Sequence, residues 1–207
     1  MRITPTTPAA LAEQIADLVA ARPGQRVRVV VDGAPPTAPQ ALAGEAATLL
    51  RLRGRDVVLV SAADFLRPAS VRLEYGRTDV DMFLDGWLDA GALRREVLDP
   101  AGPGGSGRVL PRLWNADRDR AYRDDYRELA GDGVVLLAGA LLLGRGLPLD
   151  LAVHLRMTSA ALARRMDDHE RWTVTAFERY DHERDPSGEA DLLVLADHPE
   201  RPAVRDR

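Results

Sequence analysis

The sequence contains no cysteine and no lysine. Without cysteine there are no disulfides, no thiolate nucleophiles and no thiolate metal sites. Without lysine, all 28 basic residues are arginine. No side chain can therefore serve as an ammonium phosphate clamp, a Schiff-base amine or a lysine general base. Aromatic residues are few, at 5%. No apolar run reaches the roughly 20 residues that a membrane helix requires, and the opening residues lack the apolar centre of a secretion signal. The four histidines, His154, His169, His182 and His198, do not follow a zinc-ligand spacing.

What is present fits a folded α/β chain. Of 207 residues, 45% are hydrophobic and 29% charged, a length and balance suited to one domain over 1–207. The net charge of −4 argues against a generally basic nucleic-acid binder. The expected protein is cytoplasmic, with neither a membrane nor a nucleic acid among its partners.

Apolar strands alternate with helical patterns. "QRVRVVVDG", "RDVVLVSAADF", "GVVLLAGALLL", "LDLAVHLRM" and "ADLLVLADHP" read as five buried strands. Between them, "TPAALAEQIADLVAARPG" reads as a helix stopped by Pro23-Gly24. "PQALAGEAATLLRLRG", "DVDMFLDGWLDAGALRREVLDP", "DRDRAYRDDYRELAGDG", "TSAALARRMDDHERW" and "TVTAFERYDHE" read as further helices. Strands alternating with helices predict a mainly parallel five-stranded sheet covered on both faces, with ligands bound at the strands' carboxyl ends. Excursion or lid elements are expected at about 101–118 and 157–180, and a tail at about 199–207.

"GPGGSGRV", Gly102–Val109, is close to the phosphate-loop pattern G-x-x-x-x-G-K-[ST], but Arg108 replaces the lysine and Val109 the hydroxyl. It does not follow a strand. The first strand-to-helix loop is instead "DGAPPTAPQALA", from Asp32 to Ala43.

The order of these segments resembles the uridine kinase-like branch of the P-loop kinases, from about Arg26 to Val204. The residues that carry the likeness are "VVVDGAPPTAPQALA", "LVSAADFLRP", "VDMFLDGWLD", "GVVLLAG", "LAVHLRMTSAALARRM" and "FERY…DPSGEADLLVLADHPERPAV". The resemblance implies a three-layer P-loop fold, a nucleoside-type acceptor, and ATP with magnesium if the chain is an active kinase. It places the phosphate loop at Asp32, Gly33, Thr37, Ala38, Pro39 and Gln40. There the second glycine has become Ala38, the lysine Pro39 and the hydroxyl residue Gln40. Pro35, Pro36 and Pro39 also have no N–H to offer a phosphate.

The resemblance further implies a base near the end of the second strand, where the aligned position is Ala63 and Asp64 follows. The metal-side carboxylate position holds Ala138. It implies an acceptor pocket around Phe65, Leu66, Arg67, Tyr75, Asp81, Phe83, Trp114, Asn115, Asp117 and Arg118, and lid arginines Arg164, Arg165 and Arg171. Other readings of the same residues stand beside these. Trp114 stacks on a ligand or packs in the core, Asp64 binds a hydroxyl or caps a turn, and the lid arginines clamp phosphate or form a solvated face. Arg108 reaches the pocket or sits on a flexible hairpin tip on the substrate side, and His154 is a satisfied core histidine.

Three functions are consistent with this pattern. The first is a uridine-kinase-like protein with little or no ATP-dependent transfer, acting by binding a nucleoside, a nucleotide, another phosphorylated small molecule or a protein partner. The second is an active ATP-dependent kinase with rearranged chemistry, using Asp64 as base and arginines as clamps. The third is a structural subunit. Removing one strong electrostatic donor typically costs about 100- to 1,000-fold in rate, and this loop lacks several, so the first is the expectation.

Overall fold

Runs of branched apolar residues form the central strands. The computed structural model describes residues 2–22 and 24–205. In chain order the strands are β1 (Ile3–Pro5), β2 (Val27–Gly33), β3 (Val57–Ser61), β4 (Arg108–Val109), β5 (Trp114–Asn115), β6 (Arg120–Ala121), β7 (Arg127–Glu128), β8 (Val134–Gly139), β9 (Leu151–Arg156), β10 (Leu192–Leu195) and β11 (Ala203–Arg205). The main sheet has the order β1-β11-β10-β9-β2-β8-β3. From β10 to β3 every pairing is parallel, which gives the five expected strands.

The edge departs from expectation. β11 pairs antiparallel with both β10 and β1, so the sheet has seven strands. Residues 203–205, expected as part of a tail, form a strand because Val204 packs into the core opposite Val194. Pro23, expected to end the first helix, lies outside the described residues, as do residues 206 and 207.

The helices are α1 (Pro8–Ala20), α2 (Pro39–Leu52), α3 (Ala69–Arg72), α4 (Ala90–Leu93), α5 (Asp99–Ala101), α6 (Ser159–Arg165), α7 (Val174–Arg184) and α8 (Pro186–Glu189). Both long N-terminal helices begin with proline, whose fixed φ suits a first turn. Thr7 caps α1 by accepting from the Ala10 N–H at 3.2 Å.

Strand alternation sorts the core into two layers. Val27, Val29 and Val31 face Leu11, Ile15 and Val19 of α1 and Leu42, Ala46 and Leu50 of α2. Val30 faces the opposite layer, with Leu137, Phe65, Leu93, Phe177 and Tyr180. Each fully buried Leu or Ile contributes on the order of 1.5–3 kcal/mol.

One helical expectation fails and another is met only in pieces. Residues 117–133 form no helix: Trp114–Asn115 pairs with Arg120–Ala121, and Arg108–Val109 with Arg127–Glu128. "DRDRAYRDDYRELAGDG" carries no apolar stripe to bury, and its side chains bond to neighbouring segments instead. Arg112 grips Asp124 at 2.7 and 2.8 Å, and the Tyr126 hydroxyl donates to Glu96 at 2.7 Å. The helical region expected from Asp79 to Asp99 is present in pieces, with wide turns at Met82–Gly86 and Arg94–Leu98 on either side of α4. It breaks where Leu88 bridges to Leu66 and Asp89 caps α4 through the Ala92 N–H.

The glycine-rich segment 102–109 lies at the amino end of the sheet. Arg26, just before β2, donates to the Gly105 carbonyl at 2.9 Å and to the Ala130 carbonyl. Arg108 pairs with Glu128 at 3.1 Å. That position is at the far end of the strands from their carboxyl ends, so Arg108 sits on a hairpin away from the ligand side. Among the described residues, no helix is long and apolar enough to cross a membrane.

Candidate functional site

β2 carries Asp32 and Gly33 to the carboxyl end of the sheet, beside His154 and Leu155 of β9. The chain then makes one tight turn, Pro35–Thr37, before α2 begins. The turn closes on itself. The Thr37 N–H donates to the Ala34 carbonyl at 2.8 Å and the Ala38 N–H to that of Pro35 at 3.0 Å. The Thr37 hydroxyl also donates to the Ala34 carbonyl, at 2.7 Å.

The Thr37 side chain stands over Gly33. A Cβ on Gly33 would meet Thr37 Oγ1 at 2.4 Å and Leu155 Cβ at 2.9 Å, so only glycine fits. Ala38 takes the left-handed conformation (φ 53°, ψ 51°) that glycine adopts more readily. Pro39 opens α2, and Gln40 follows it at the rim of a cavity.

That cavity has a volume of about 300 Å³ and lies between the loop and the carboxyl ends of β3 and β8. Pro35, Pro39, Ala63, Leu66 and Phe83 form much of its apolar wall, and Trp87 and Arg145 also line it. Gly139 closes the floor, where a Cβ would strike Ala62 at 2.4 Å. An aromatic cluster packs beside it: Phe83 lies edge-on to Trp87 at 5.0 Å, Trp172 at 5.3 Å and Phe177 at 6.0 Å. The same loop borders a second groove on its α1 side, about 370 Å³, lined by Thr37, Ala38, Leu42, Glu45 and Glu200 among others.

Asp32 is wholly buried and accepts three hydrogen bonds. The donors are the Leu142 N–H at 2.8 Å, the Tyr180 hydroxyl at 3.1 Å and His154 Nδ1 at 2.8 Å. The Tyr180 hydroxyl in turn accepts from the Leu143 N–H. Burial, then the adjacent Asp32 charge, push the Tyr180 phenol far above its ordinary range, so it remains a donor. His154 is a core histidine with only one ring nitrogen satisfied. Its Nε2 is buried and has no partner among the described residues, beside a void of about 20 Å³ that is the size of one water.

The anticipated acceptor-pocket residues are not gathered in one place. Leu66 and Phe83 line the cavity, whereas Phe65 lies in the core. Asp64 lies half-buried beside the β5–β6 hairpin, its carbonyl accepting from the Leu113 N–H at 3.0 Å and its carboxylate near Tyr122 and Arg112. Burial raises the Asp64 carboxyl above its usual range, against the lowering influence of Tyr122 and Arg112. Trp114 Nε1 donates to Asp119 at 3.2 Å, and Asn115 bonds Tyr122 at 3.0 Å. The Asn115 side chain also accepts from the Arg118 N–H. Asp117 and Arg118 are exposed and Tyr75 is 69% exposed. Arg67 is tied through its backbone to Trp87, and Asp81 pairs with Arg179 at 2.6 Å.

The arginines expected in a lid are dispersed. Arg164 is exposed on α6, Arg165 donates to the Asp197 carbonyl, and Arg171 pairs with Asp168 at 2.7 Å. The sequence reading missed Trp87 and Arg145 at the cavity, Trp172 packed against Phe83 beside it, and the Asp32–Tyr180 bond beneath it. No spacing marked them, because each acts through a contact between distant segments.

No family model matches the sequence, and no curated protein matches it. Solved structures do. The possible uridine kinase from Bacillus stearothermophilus superposes with a TM-score of 0.71 at 15% identity, over 89% of this chain and 97% of that one. A protein described as a fructose transport system kinase from Silicibacter sp. TM1040 gives 0.61 at 21% identity, over 88% and 91%. The YGR205w protein gives 0.59 at 12% identity, over 98% and 99%. At these identities the likeness establishes the fold that this chain shares with those proteins.

Proposed function

We propose that this chain is a uridine-kinase-like protein that binds a nucleoside-sized ligand at the carboxyl end of its sheet and performs little or no ATP-dependent phosphoryl transfer. The observation that carries this reading is the position of Thr37 over Gly33. The loop is packed on itself: the Thr37 side chain lies against Gly33, and the Thr37 and Ala38 amides donate to the loop's own carbonyls, so neither is free for a phosphate. Pro35, Pro36 and Pro39 add no donors. Phosphoryl transfer relies on positioned charge and metal, and neither a lysine nor a hydroxyl at position 40 is available to supply them.

The residues present do not fit magnesium-ATP. Ala138 occupies the position expected for a metal-side carboxylate, and Asp64 faces Tyr122. An active kinase using Asp64 as base would require that carboxylate to leave Tyr122 and turn toward the cavity.

Calorimetric titration with Mg-ATP, uridine and cytidine tests the proposal, together with a radiolabel assay for phosphate transfer to either nucleoside. The expected result is nucleoside binding without ATP and no transfer above the uncatalysed rate. Robust ATP-dependent phosphorylation of a nucleoside would overturn it.

A further inference from the structure

Among the described residues, the cavity wall contains one cation, Arg145, and the protein itself leaves it poorly neutralised. The Arg145 side chain is 11% exposed. Its Nε donates to the Leu141 carbonyl and its Nη2 to the Leu84 carbonyl. These neutral acceptors orient the guanidinium without cancelling its charge. The closest carboxylate in an ion pair with it, Asp85, stands 3.9 Å from Nη1 and is already held by Arg184 at 2.7 Å. Asp32, the other acidic group that acts on Arg145, is saturated by Leu142, Tyr180 and His154. Burial accordingly draws the Arg145 pKa below its ordinary value.

A desolvated cation beside an apolar cavity is unfavourable until an anion reaches it, and a charge-assisted hydrogen bond then forms in a low-dielectric setting. Phe83 and Trp87 provide flat aromatic walls in the same cavity. Glu170, exposed at the rim, repels ligands that carry several negative charges.

We infer that the cavity takes a small ligand with a flat apolar body against Phe83 and Trp87 and a single anionic group, carboxylate or phosphate monoester, on Nη1 of Arg145. The inference rests on the reading that this site binds a ligand, and it narrows the ligand's chemistry. One cation and about 300 Å³ suit a monocyclic anion, not a triphosphate.

The test compares matched probes on the full chain, by tryptophan fluorescence and calorimetry. Benzoate and phenyl phosphate are set against neutral benzamide, and uridine 5′-monophosphate against uridine. Each anion is expected to bind at least tenfold more tightly than its neutral match at low salt, with the gap narrowing as salt rises. Arg145→Gln should erase the preference. Because that change also frees two carbonyls, Ala63→Phe serves as a second variant that fills the cavity without touching Arg145 and should abolish binding of every probe. Preference for phosphate over carboxylate, or the reverse, identifies which anion the site favours. Equal binding of anions and neutral matches overturns the assignment to Arg145 while leaving a ligand-binding site intact. Binding that survives Ala63→Phe, or absence of binding by all anions, also overturns it. Nucleoside phosphorylation would instead remove the reading on which it rests.

Discussion

Thr37 Oγ1 stands 2.4 Å from the point that a methyl group on Gly33 would occupy. Gly33 and Thr37 are therefore one packing unit, and each restricts the other. Gly33→Ala is expected to destabilise the fold by about 1–3 kcal/mol through overpacking. Thr37→Ala should recover part of that loss, so the double variant will be more stable than the sum of the singles. Thermal unfolding of the four proteins in this cycle measures the coupling, and additive losses would count against the contact.

Ala38 is held in the left-handed region, which disfavours a Cβ by about 1–2 kcal/mol. Ala38→Gly should therefore raise stability by about 1 kcal/mol, less what glycine's extra unfolded-state freedom removes. The chemical-denaturation midpoint reports the sign.

Restoring the missing side chains alone should not restore chemistry. Pro39→Lys with Gln40→Ser supplies an ammonium and a hydroxyl but leaves Thr37 over Gly33 and its amide on the Ala34 carbonyl. We expect no gain in ATP hydrolysis or transfer from this double variant, measured by phosphate release and by labelled product.

The Arg28–Asp150 pair predicts an acid dependence. Arg28 grips the Asp150 carboxylate through its backbone N–H, Nε and Nη2 at 2.8, 2.9 and 2.7 Å. Burial alone would raise Asp150, but these donors outweigh it and hold the carboxyl below its usual value. The unfolded chain thus binds this proton more readily than the folded one. The stabilisation is present in full above the unfolded carboxyl pKa of about 4 and fades as pH falls through the lower folded value. Asp150→Asn should cost about 2 kcal/mol at neutral pH, a figure reduced for the solvent reaching Asp150, and progressively less below about pH 4. Unfolding midpoints from pH 2.5 to pH 7 test this.

Tyr180→Phe removes a hydroxyl that donates to Asp32 and accepts from Leu143. Leaving those buried groups short of partners should cost about 1–3 kcal/mol. Amide exchange at Leu143 is expected to accelerate more than exchange in α1, a contrast that simple loss of packing volume would not produce.

The central sheet was legible because its signal is local. Val27–Val31, Val134–Ala138 and Leu151–Leu155 are apolar runs whose burial on both faces follows from composition, and Pro39 marked the start of α2. The added strands β1 and β11 were not legible. Ile3–Pro5 and Ala203–Arg205 are short and acquire strand structure only through distant pairing, Ala203–Arg205 with β10 and Ile3–Pro5 with Ala203–Arg205. Residues 117–133 misled for a related reason: their charge pattern suits an exposed helix, but long-range partners such as Glu96 and Asp56 draw them into hairpins. At the site, the loop's substitutions could be read from sequence, whereas the closing of Thr37 over Gly33 depended on backbone geometry. Arg145 was invisible because its importance comes from what fails to surround it.

The hydroxyl of Tyr180 has a mechanical consequence. It fastens α7 to the segment after β8 and to β2 at once, so this helix cannot swing outward without breaking two buried bonds. Just before α7, Glu170 stands at the cavity rim and Trp172 packs on Phe83, so fastening this helix also fixes where the aromatic wall stands.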